Sequence, residues 1–172
     1  MRTITKISAL AIIFLCIAAS SFGQASATAT STATIVTPIS IAKDIDMNFG
    51  NVAVTATPGT VILTPISTRS ITGGTTLPVV TGTVAAASFT VTGMPAYTYA
   101  ITLPSTDLTI TRQTGVETMI VNAFTSSPTP TGTIGAGGTQ TLTVGATLNV
   151  AAAQVAGVYV SGTPFSVTVN YN

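Results

Sequence analysis

Histidine and tryptophan are both absent from this 172-residue chain, and its one cysteine, Cys16, lies in an apolar run near the N-terminus. These gaps remove the commonest proton carrier and leave no thiol beyond residue 16, so the expectation is a protein that is not an enzyme and uses no cofactor. Charge is scarce as well, at 5% of residues with a formal net of +1. Beyond residue 23 the charged side chains are Lys43, Arg69, Arg112, Asp44, Asp46, Asp107 and Glu117, widely scattered. No basic patch exists for nucleic acid, and no acidic field is present. A surface so poor in charge suits a protein that lives assembled or surface-bound, because net charge is what keeps chains apart in solution.

What is there begins with an export pattern. Arg2 and Lys6 precede an apolar run over residues 9–19, and Ser21, Phe22 and Gly23 form a small-x-small cleavage site. Residues 1–23 therefore read as a signal peptide, with the mature chain starting at Gln24. The apolar run is about half the length that spans a bilayer, so no transmembrane segment is expected after cleavage. Leu15 precedes Cys16 where a lipidated cysteine would need a small residue. The mature chain must then reach stability without disulfides, in an oxidising compartment where they would be available. The expected location is the bacterial cell surface or the extracellular medium, with the periplasm in transit.

Residues 24–34 are an arm of alternating alanine or serine with threonine, and residues 35–172 carry the folded domain. Threonine is the main polar residue, hydroxylated and β-branched, as the wet face of a sheet requires. The clearest alternation is at the C-terminal end, where Phe165, Val167, Val169 and Tyr171 share one face and Ser166, Thr168 and Asn170 the other. Leu142, Val144, Ala146, Leu148 and Val150 form the longest such run, and Tyr97, Tyr99, Ile101 and Leu103 another. Ile35, Thr37, Ile39 and Ile41 mark the first strand. Pro58 with Gly59, and Gly73 with Gly74, read as turns; residues 126–139 read as the most exposed loop. No segment sustains a helical period. Eight to ten short strands at close spacing predict an all-β, immunoglobulin-like antiparallel β-sandwich. A closed barrel is the alternative, but the aromatic girdles of an outer-membrane barrel are missing.

Few residue groupings could carry a site. Asp44, Asp46 and Asn48 place oxygen ligands at alternate positions, a weak metal candidate that departs from the helical calcium loop at Phe49 and Thr55. Asp107 and Glu117 as a glycosidase pair would need a cleft with sugar-stacking aromatics. Tyr97 and Tyr99, two apart, share a face and form either part of the core or a glycan platform. Gly135, Gly137 and Gly138 lack the lysine and the strand-to-helix junction of a phosphate loop. The last strand is the more informative feature. Its outer edge, carried by Phe165, Val167, Val169 and Tyr171, has to be covered by an earlier segment or by another molecule.

Two stretches carry a resemblance. Met47, Asn48, Phe49 and Gly50 after an isoleucine-rich first strand, together with the ending GVY and FSVTVNY, resemble the opening and closing elements of spore coat protein U-like domains, which are similar to archaic chaperone-usher pilus subunits. The mature chain also resembles exported bacterial proteins, frequent in the Bacteroidetes, that form a domain family of unknown function. NFGNVAVTATPGTVILTP, RSITGG, AASFTVTG, YTYAITLP and TLTVGATLNV are the stretches that carry this second likeness.

The pilus resemblance implies an incomplete sandwich that self-associates by β-strand addition, with a periplasmic chaperone as a further partner. The last strand would wall the acceptor groove, and Ala29, Ser31, Ala33 and Ile35 would form the donor arm. The arm alternates alanine with threonine where a donor presents large apolar residues, and the disulfide common among pilins is absent. Self-complementation by residues 35–41 is the alternative on the same evidence. The functional expectation is thus a secreted structural or pilus-like subunit, against a monomeric carbohydrate-binding or adhesive module.

Overall fold

The computed structural model describes residues 23–172; the expected signal peptide, with Cys16, lies outside the described residues except for Gly23. Residues 23–35 contain no helix or strand, and each of their side chains is exposed. Val36–Asn172 forms one compact unit. Its regular elements are all β-strands: β1 (Ser40–Ile45), β2 (Asn48–Phe49), β3 (Ala53–Leu63), β4 (Arg69–Thr76), β5 (Val84–Ala85), β6 (Ala87–Thr92) and β7 (Thr98–Thr102). The remainder are β8 (Leu108–Arg112), β9 (Thr118–Ser127), β10 (Thr131–Thr133), β11 (Thr139–Val150), β12 (Tyr159–Ser161) and β13 (Thr168–Tyr171). Nine of these thirteen strands are four residues or longer. The other four are too short to show in an alternation pattern.

The strands pair antiparallel throughout and make the sandwich-like architecture that the alternation predicts. The large sheet runs β1-β6-β11-β9-β8-β12, with β3 joined to β11 and β4 to β3. A three-stranded sheet, β10-β7-β13, forms the second layer, and β2 pairs with β5 apart from both. The long strand β11 organises the large sheet. Its residues 139–144 pair with β6 and residues 146–150 with β3, on the same edge. The exchange of partners falls at Gly145, where a Cβ would meet the carbonyl of Leu63. Only glycine allows the backbones of β3 and β11 to approach so closely.

Three local expectations are corrected. Pro58 and Gly59 do not turn the chain: β3 runs through them, and the β3–β4 register slips between Val54 and Gly59. This is a bulge, which accommodates a proline that cannot donate to the ladder. Gly73 and Gly74 lie opposite, inside β4, and make room for it, since a Cβ on Gly73 would strike the carbonyl of Pro58. Residues 126–139 are no exposed loop either. They include β10, and Ile134, 1% exposed, is among the largest fully buried side chains.

The core is in two parts with different construction. In the first, Val91 of β6 and Leu142 and Val144 of β11 meet Tyr99 of β7 and Val169 of β13, with Ile134 beside them. Both layers contribute. In the second, the buried members are Val61, Val121, Ala146, Leu148 and Val150, all from the large sheet. No strand of the small sheet reaches them. What packs there instead is the irregular stretch around β2, with Met47, Phe49 and Val52.

Candidate functional site: an open seam between β1 and the last strand

The open seam follows from how the last strand is paired. The alternation of Phe165, Val167, Val169 and Tyr171 continues in the burial pattern: Val169 is buried and the other three are half-buried. Yet only residues 168–171 are laddered, Thr168 to Thr102 and Tyr171 to Tyr99 on β7. Continued by two residues, that register sets Ser166 opposite Pro104, which has no N–H to donate. The ladder stops there. Residues 165–167 therefore continue the line of the last strand without strand pairing, and Phe165 is held by its ring against Phe124, at 5.1 Å, and Phe89, at 6.4 Å.

The two ends of the seam differ. At one end the Tyr171 hydroxyl donates to the Thr37 carbonyl at 2.8 Å and accepts the Met94 N–H at 2.6 Å, which closes β13 onto the chain leading into β1. At the other end the walls part around a groove of about 1020 Å³. Its floor is the inner face of β8, β9 and β11, presenting Leu108, Ile110, Met119, Val121, Leu148 and Val150. One wall is residues 43–54 and the other is the chain from Gln154 to Phe165. The outer edge of β1 and the free edge of residues 165–167 carry no strand partner among the described residues. An apolar trough between two unpaired edges is the geometry into which an extended segment pairs.

The remaining candidates stand apart from the groove or are already engaged. Tyr99 is fully buried and its hydroxyl donates to Gln140 Oε1 at 2.8 Å, so it offers no face to a sugar. Burial also pushes the Tyr99 phenol above its ordinary pKa. Tyr97 is 43% exposed and stands edge-on to Tyr171 at 5.7 Å. The metal candidates each have their own partner: Asp44 accepts from the Thr90 hydroxyl, Asp46 pairs with Lys43 at 2.8 Å, and Asn48 Oδ1 accepts the Gly50 N–H. Among the described residues no group of three or more Asp, Glu, His or Cys side chains converges.

Asp107 and Glu117 lie at opposite ends of β8, about five strand residues or ~17 Å apart. Retaining and inverting glycosidases hold their carboxyls within about 5 to 10 Å. Glu117 is instead clamped by Arg112, Nε to Oε2 at 2.6 Å and Nη2 to Oε1 at 3.2 Å, and this hydrogen bonding holds its carboxyl below the usual carboxylate range. Among the donor-arm residues Ala29, Ser31, Ala33 and Ile35, the only large side chain is Ile35, which is 95% exposed.

Of the residues whose alternation marks the last strand only Phe165 lines the groove, and alternation along single strands does not point to the floor. Each of its residues was readable as the apolar face of a strand; that no second layer covers them depends on which strands share a sheet.

No helix among the described residues is long and apolar enough to cross a membrane. Residues 39–171 match a protein family described as a domain of unknown function, DUF4402. No curated protein matches the chain, and no solved structure does.

Proposed function

The chain belongs to the DUF4402 family, and from that premise we propose that it is a non-enzymatic structural subunit of the bacterial cell surface that completes its sandwich by taking up a β-strand. The carrying observation is the seam: an apolar groove of about 1020 Å³ bounded by two unpaired edges. A strand seated there would ladder with residues 165–167 and bury alternate side chains on β8, β9 and β11. Each large aliphatic group so buried contributes about 1.5–3 kcal/mol. The low charge of the chain supports the same reading, since it leaves little to keep assembled subunits apart. A carbohydrate-binding role has less support, because one of the two tyrosines that would form the platform is in the core.

The test is the state of the exported protein. Wild-type protein recovered from the surface of its own bacterium should run as an assembly that separates only on denaturation. Val167→Pro, which removes an outward-facing backbone donor from the free wall, should be recovered folded but monomeric. A wild-type protein recovered only as a free monomer would sink the proposal.

A further inference from the structure

We propose that a second cleft, between the β7–β8 and β12–β13 connections, binds a neutral sugar ring, with the Asp107 carboxylate accepting from neighbouring ring hydroxyls. This cleft shares only Leu108, Pro164 and Phe165 with the groove described above, and it contains neither Tyr97 nor Tyr99. Two prolines create it. Continued past its last pair, Ser161 with Ile110, the β12–β8 register sets Pro164 opposite Asp107, while the β13–β7 register sets Ser166 opposite Pro104. Neither proline has an N–H to give to a ladder. The two connections therefore pass between the sheets without strand pairing, and a cleft of about 700 Å³ opens between them. That volume falls within the range of small-ligand sites, about 300–1,000 Å³.

The lining matches both faces of a sugar. Leu103, Leu108 and Phe165 are half-buried and, with the two prolines, supply apolar surface for the C–H face of a ring. Ser105, Thr106, Thr109, Thr163 and Ser166 are exposed around them, and each hydroxyl both donates and accepts, as the hydroxyls of a sugar do. Asp107 is the only charged residue of the lining, and it takes part in neither ion pair among the described residues. A polar chain aims it instead: Asn122 Nδ2 donates to Asp107 Oδ1 at 3.2 Å, and Asn122 Oδ1 accepts from Asn149 Nδ2 at 2.9 Å. An ionised carboxylate has about four lone-pair sites, so Asn122 leaves room for two hydroxyls of one ring. Hydrogen bonds to an ionised acceptor are about twice as strong as neutral ones, which makes Asp107 the determining contact. With no lysine or arginine in the lining, the same carboxylate repels an acidic sugar.

The test titrates the exported protein, isotope-labelled, with the methyl glycosides of glucose, galactose, mannose and N-acetylglucosamine, with a methyl glucuronide and with methylammonium. NMR follows the amides of Ser105, Asp107, Thr163 and Ser166. At least one neutral glycoside should give saturable shifts at these amides, and the glucuronide should bind at least tenfold more weakly. Asp107→Asn keeps an oxygen for Asn122 to donate to, so its spectrum should stay that of the folded protein while the sugar binds at least tenfold more weakly. Asp44→Asn, outside the cleft, should leave binding unchanged. The inference is overturned if none of the four neutral glycosides saturates these amides, if Asp107→Asn leaves binding intact, or if the glucuronide binds equally well. Methylammonium binding as tightly as the best sugar would also overturn it, since Asp107 would then be a simple cation contact. None of these outcomes bears on strand acceptance, which is read from the assembly state.

Discussion

Single side chains hold this domain together at places where layers meet. The Tyr171 hydroxyl makes two backbone hydrogen bonds, to Met94 N–H and Thr37 C=O, that no other group replaces. Tyr171→Phe should cost about 1–3 kcal/mol, the penalty of leaving such groups unpaired, as a lower urea midpoint with an unchanged m-value. Glu117 predicts a pH effect. Its carboxyl titrates below the ordinary range because Arg112 donates to it, so the folded pKa lies under the unfolded one. The stability this adds is complete above the unfolded pKa, about 4, and is lost as pH falls through the folded value. Between about pH 6 and about pH 3, Glu117→Gln should therefore lose less stability than the wild type in paired urea titrations. A parallel loss would show that the clamp on Arg112 does not act in the folded state.

Among the elements, β11 decides the layout of the large sheet, and Gly145 decides where β11 changes partner. Gly145→Val would push β3 off β11, and overpacking of this kind costs about 1–3 kcal/mol, visible as faster amide exchange at residues 146–150. The inward face of β11 was legible from alternation alone, as was the paired half of the last strand. Other elements were not, for definite reasons. Pro58 beside Gly59 has the chemistry of a turn, and only its position opposite Gly73 makes it a bulge. Threonine and glycine at 131–133 look like loop until Tyr99 is placed against Gly132, where a Cβ would strike the ring. The groove was half legible: Phe165 and Val167 alternate correctly, but their lack of a partner depends on Pro104, sixty residues earlier.

For the whole molecule, the inequality of the two core halves is the main property. One half is closed between two layers and the other is closed by one sheet and an irregular stretch. The same substitution should therefore have different costs along one strand. Leu142→Ala, in the closed half, should cost toward the upper part of the 2–5 kcal/mol range for such cavities. Leu148→Ala, buried but beside the groove, should cost toward the lower part, because the groove gives its neighbours room to settle into the space left. Equal costs in urea unfolding would mean that the groove is filled in the isolated protein.

The bond between Tyr171 and Thr37 has a topological meaning as well. It brings the start and finish of the folded unit within hydrogen-bond reach, so the domain is close to a ring in which the break has little structural importance. A circular permutant that joins Asn172 to Val36 through a few glycines and reopens the chain at exposed Gly115 should keep the wild-type sheet order, since bridging so short a gap adds little loop entropy. In such a permutant the groove, at the other end of the seam from the new junction, should be unchanged and could be studied with no chain leading into residue 36.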